Sequence, residues 1–86
     1  MHAMKFTAQI DIMPMEEILD PQGKVVTQSL HNLGLAEIDN VRIGKHISMN
    51  VLAENKGDAE AQVAEACKKL LANLIMERFE FTVSAI

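Results

Sequence analysis

The sequence predicts an α+β fold, a two-layer sandwich in the order β-α-β-β-α-β, with a four-stranded antiparallel sheet and two helices on one face. Three observations predict it. Apolar and polar residues alternate over Lys5–Ile12 and again over Arg78–Ser84, the period of a half-buried strand. Two stretches repeat apolar residues every three or four positions, which is the stripe of an amphipathic helix. Between those stretches Ile38–Ala53 alternates once more around Gly44, and reads as two strands.

The first strand turns Phe6, Ala8, Ile10 and Ile12 one way and Lys5, Thr7, Gln9 and Asp11 the other. Pro14 ends it, because proline has no N–H to give to a ladder. Met13–Leu19 is a connection. Asp20-Pro21 then opens the first helix, with aspartate as N-cap and proline at the first helical position, where its missing N–H costs nothing. Val26, Leu30 and Leu33 share a face, and Gly34 is a stop signal.

Val41 and Ile43 share a face before Gly44; Ile47, Met49 and Val51 share one after it. Pairing Ile43 with Ile47 keeps both apolar sets on one side. That pairing predicts a hairpin with the three-residue loop Gly44-Lys45-His46. Asn55–Asp58 is a loop and cap. The second helix is expected over about Ala59–Asn73, with Val63, Cys67, Leu70, Leu71 and Leu74 as its stripe. Phe79, Phe81 and Val83 face inward on the last strand. With both helices on one side, the arrangement is ferredoxin-like, with the first strand beside the third and the second and fourth at the edges.

A chain of 86 residues makes one domain, expected over residues 1–86. Nearly half of it, 49%, is hydrophobic, yet it has three Phe, no Trp and no Tyr, so the core is aliphatic. So generous a share in so small a domain predicts that some of it finishes in a subunit interface. Eight basic against twelve acidic residues give a net charge of −4, which argues against nucleic acid as a partner. A single cysteine makes no internal disulfide and suits a reducing cytoplasm. Nothing at Met1–Met4 resembles a signal peptide, and no window is apolar enough to span a membrane.

No set of residues forms a reaction centre. Cys67 lies on an apolar stripe with no histidine near it in sequence, the position of a packing cysteine. His2, His31 and His46 have no metal-ligand spacing. Glu16, Glu17 and Asp20 are close enough for acid–base work, but Asp20 has a sufficient role as a cap. Two islands stand out instead: Leu19-Asp20-Pro21-Gln22-Gly23 and Val41-Arg42-Ile43-Gly44-Lys45. Arg42 and Lys45 suit a phosphate or an acidic partner surface, and they equally suit solvated charges guarding an edge strand.

These islands, with Cys67-Lys68-Lys69-Leu70-Leu71-Ala72-Asn73, resemble the PurS family, the small subunit of phosphoribosylformylglycinamidine synthase. The resemblance runs from about Met4 to Val83. Family members often carry a lysine and a glycine before LDPQG, where this chain has Met13–Ile18. They usually have an aromatic residue where this chain has His46.

The resemblance implies a PurS-like fold and a non-catalytic cytoplasmic subunit of an enzyme of purine synthesis. That enzyme makes formylglycinamidine ribonucleotide from formylglycinamide ribonucleotide, glutamine and ATP. The small subunit bridges a large synthetase subunit, PurL, and a glutaminase subunit, PurQ, and supports ammonia transfer between them. ATP and magnesium belong to PurL; this chain is expected to bind no cofactor or metal and to form a homodimer or tetramer. The expected partner interface is Asp20, Pro21, Gln22 and Gly23 with Arg42, Gly44, Lys45 and His46. The alternative from fold alone is a ferredoxin-like regulatory module that binds a small molecule.

Overall fold

The computed structural model describes residues 3–86, so His2 lies outside the described residues. Its elements are β1 (Met4–Pro14), α1 (Pro21–Asn32), β2 (Lys45–Ala53), α2 (Lys56–Ala66) and β3 (Glu77–Ala85), with a π-helical turn, Cys67–Leu71, continuing α2. The strands form one antiparallel sheet in the order β2-β1-β3. Ile10 stands opposite Ile47 on one side and Phe81 on the other.

The alternation in β1 places Phe6, Ala8, Ile10 and Ile12 in the core, with Val51, Ala53 and Val83 from its neighbours. Helix α2 covers this face with Ala59 and Val63, and Cys67 follows from the π turn. Phe79 and Phe81 stack on the same face with ring centroids 6.2 Å apart. Asn55 caps α2 by accepting the Asp58 N–H at 2.8 Å, so the helix begins earlier than the stripe predicts. In the π turn the Ala72 N–H donates to the Cys67 carbonyl. The wider turn rotates the stripe: Leu71 is half-buried, while Leu70, expected inward, is 83% exposed.

Two larger features also differ from the sequence reading. The sheet has three strands, because Ile38–Gly44 joins no ladder. The expected hairpin about Gly44 is therefore absent. The reason is competition for backbone donors. The Val41 N–H donates to Thr27 Oγ1 at 3.1 Å, and the Ile43 N–H to Asp20 Oδ2 at 2.8 Å. Alternate N–H groups that a strand partner would use are spent on the N-cap and a mid-helix hydroxyl of α1. The third strand of the reading, expected from Ile47 on, begins two residues earlier as Lys45–Ala53; it does lie beside the first, and the edges are β2 and β3.

Second, only α2 covers the sheet. Helix α1 makes no extensive contact with the strands or with α2. Its expected inner face is open to solvent, with Val26 36% and Leu33 76% exposed. The helix is well ended all the same. The Leu35 N–H reaches the Leu30 carbonyl and the Gly34 N–H the His31 carbonyl. Gly34 sits at φ 88, the left-handed residue that this C-terminal motif requires.

Candidate functional site

The two islands meet where α1 begins. As N-cap, Asp20 accepts the Gly23 N–H on Oδ1 at 3.0 Å. Its other oxygen takes the Ile43 N–H, so one carboxylate binds the helix start to a residue 23 positions on. These hydrogen bonds, that from Ile43 foremost, hold the Asp20 carboxyl below its ordinary range, with Arg42 a smaller influence. Arg42 Nη2 donates to the carbonyls of Met15 and Ile18 at 2.8 and 2.9 Å. Its Nε lies 4.0 Å from Asp20 Oδ2 and is buried with no hydrogen-bond partner. The connection before α1 and the segment after it are thus pinned by one aspartate and one arginine.

Close backbone contact explains both glycines. A Cβ on Gly23 would stand 2.1 Å from the Val41 carbonyl oxygen, and one on Gly44 2.3 Å from that of Ile12. Thr27, which the sequence places on the wet side of α1, completes the joint. It donates to the Gly23 carbonyl at 2.8 Å while accepting from Val41. A hydroxyl four residues after a helical carbonyl was the available signal.

The other expected interface residues lie around this joint. Pro21 and Gln22 are exposed at the first turn of α1. Lys45 begins β2, 3.8 Å from Glu77. His46 is next, on the uncovered polar face of the sheet, between Asp11 at 2.6 Å and Gln9 Oε1 at 2.7 Å. Asp20, Gly23 and Arg42 therefore come together, whereas Lys45 and His46 point elsewhere from the same strand start.

Two shallow apolar cavities flank the joint. One of about 320 Å³ runs past Pro14, Ile18, Leu19 and Met76; the other, of about 530 Å³, is bounded by Val25 and Val26, and both share Pro21 and Ile43. Nothing in this neighbourhood resembles a reaction centre. Cys67 is fully buried in the core, and burial pushes its thiol up, away from the thiolate a nucleophile needs. No group of three or more His, Cys, Asp or Glu among the described residues could hold a metal ion.

Such a molecule is a small α+β unit with a pinned joint and uncovered apolar cavities, the class of fold that the comparisons then narrow to a family. The comparisons give the family. The family described as PurS, phosphoribosylformylglycinamidine (FGAM) synthase, matches residues 7–85. Subunit PurS of that synthase from Bacillus subtilis (strain 168) is 32% identical over 81 residues, covering 94% of this chain and 95% of its own. The PurS subunit from Mycobacterium leprae is 37% identical over 76 residues, covering 87% and 91%. The crystal structure of the purS subunit from Thermotoga maritima superposes with a TM-score of 0.85 at 31% identity, covering 100% of this chain and 97% of that one. A chain in the structure of PurLQS from the same organism superposes with a TM-score of 0.82 at 32% identity, covering 95% and 98%. This chain belongs to the PurS family, the small subunit of FGAM synthase in purine biosynthesis.

Proposed function

We propose that this chain bridges the ATP-dependent synthetase subunit and the glutaminase subunit of FGAM synthase and supports ammonia transfer between them, without chemistry of its own. The observation that carries this reading is the full-length match to a chain of an assembled PurLQS complex. The physical contribution is positioning: ammonia made in one subunit is useful only when its source and its acceptor are held in register. ATP and magnesium are then handled by the synthetase, in the cytoplasm.

Self-association to a homodimer or tetramer belongs to the same reading. Val25, Val26, Pro21 and Ile43 border an uncovered apolar cavity, and a second copy removes such surface from water. Pro21, Gln22, Gly44, Lys45 and His46 are the exposed members of the expected interface. Asp20, Gly23 and Arg42 act through the joint that holds those residues in place.

Co-elution tests the proposal. The purified chain, mixed with the large synthetase and glutaminase subunits, glutamine and nucleotide, is expected to run as one complex. The chain alone is expected to turn over neither glutamine nor ATP. Separate elution under those conditions, or turnover by the chain alone that a point substitution in it abolishes, would overturn the reading.

A further inference from the structure

Lys45 and His46, which a hairpin would use as its loop, already belong to β2. The turn is drawn out, and the pairing it would have made within one chain is left open on both sides. One side is the free edge of β2. Its nine pairs with β1 run without a bulge, and no Lys, Arg, Asp, Glu or Pro occurs over residues 46–53. Edges are ordinarily guarded by such residues; β3, the other edge, carries Arg78 and Glu80. The other side is the segment before Gly44. Its Val41 and Ile43 N–H groups turn back to α1, while the Arg42 N–H between them makes no hydrogen bond among the described residues. Donors that alternate between two sides are the pattern of a strand with one side still to fill.

Resting on the self-association proposed above, we propose that two copies of this chain exchange their arms, residues 15–44, so that residues 41–44 of each form a fourth strand on the β2 edge of the other. The apolar residues set the register. Antiparallel pairing of Ile43 in one copy with Ile47 in the other puts Val41 opposite Met49, all on the covered face of the sheet. It is the pairing of a closed hairpin passed to a second copy, as in any exchange of an identical element. A two-fold axis then runs past Lys45, where Glu77, 3.8 Å from its ammonium, offsets the meeting of two like charges. The arm carries α1 over the partner's sheet, whose Ile47, Met49, Phe79 and Phe81 are only partly buried. Surface area supports an occupant of this size. The chain exposes 6213 Å², against about 5,000 Å² for a compact protein of its mass. The excess of about 1,200 Å² per chain comes to about 2,400 Å² for a pair, within the range of obligate dimers.

Engineered cysteines in the full-length chain read out this register, and the native Cys67 is fully buried. Within one chain, positions 43 and 47 stand roughly 13 Å apart along an extended strand, too far for a disulfide, whose Cα atoms lie within about 7 Å. Ile43→Cys with Ile47→Cys is expected to oxidise to a covalent dimer, running at twice the chain mass on a non-reducing gel and at the single mass once reduced. Lys45→Cys, at an exposed position, is expected to do the same across the axis, and it decides the question if the double variant melts below the wild type when reduced. Leu52→Cys, exposed on the same strand but far from the axis, is expected to stay at the single mass. A disulfide between 43 and 47 inside one chain overturns the exchange. So does a non-covalent dimer in which the cysteine at 45 stays reduced, or as much covalent dimer from Leu52→Cys as from Lys45→Cys. A wild type that light scattering shows as a monomer at every concentration would instead remove the self-association on which the exchange rests.

Discussion

Replacing Gly23 with alanine sets two energies against each other. Alanine in a helix is favoured over glycine by about 1 kcal/mol. The new methyl group would meet the Val41 carbonyl at 2.1 Å, and forcing backbone aside in a packed site costs about 1–3 kcal/mol or more. An approach this close to backbone puts the cost at the upper end of that range, so a net loss of about 2 kcal/mol is expected, a fall in Tm of roughly 8–16 °C for a domain of this size. Gly57→Ala is the milder comparison: its Cβ would meet no backbone, only the capping Asn55 Oδ1 at 3.2 Å, and thermal unfolding should show a smaller loss than Gly23→Ala. Asp20 gives a pH signature. Its carboxyl is depressed in the folded state, so the stability it contributes is present above the unfolded carboxylate range near pH 4 and lost as pH falls through the lower folded value. Asp20→Asn should lower the urea midpoint at pH 7, and the gap to the wild type should narrow at pH 3. The cap itself was legible, because Asp-Pro before an apolar run is a helix start. The bond from that carboxylate to Ile43 was not, since nothing local in the sequence reveals a partner 23 residues away.

Among the elements, those shaped by their own pattern were readable and those shaped by a distant side chain were not. Strands β1 and β3 follow their alternation closely, whereas α2 begins right behind its capping Asn55, three residues before the expected Ala59. Ile38–Gly44 carries the alternation of a strand, but Thr27 and Asp20 claim its N–H groups first. The stripe of the second helix was legible as far as Cys67, after which the π turn moves Leu70 outward. Helix α1 carries an apolar face that no other described element covers extensively. Val25 is 65% exposed and Val26 36%, so changing them costs the folded chain about 0.5 kcal/mol or less. Val25→Glu with Val26→Glu should therefore leave the circular dichroism spectrum and melting of the single chain intact while lowering the mass of the associated species in light scattering. An unchanged mass would remove α1 from the self-association surface.

At the scale of the whole molecule, shape is the informative quantity. The radius of gyration is 17.0 Å, against about 12 Å for a compact domain of this length. The long dimension of 58 Å exceeds the roughly 36 Å that an eleven-residue strand can span, so α1 and its connections extend past the sheet. The isolated wild-type chain should accordingly run as a dimer or tetramer in size exclusion with light scattering; a clean monomer at all concentrations would leave that surface without its expected cover. The joint at Gly44 has a mechanical consequence. The chain leaves the middle strand at Pro14 and comes back against Ile12, so the outgoing and returning crossings lie side by side. A push on the far end of α1 would be delivered to a short stretch of the central strand, with the bonds of Asp20 and Arg42 as the stiffening. Besides Gly44 against Ile12, the Met15 N–H on the Met76 carbonyl seats the arm on the sheet, so such a push would reach both β1 and the entry to β3.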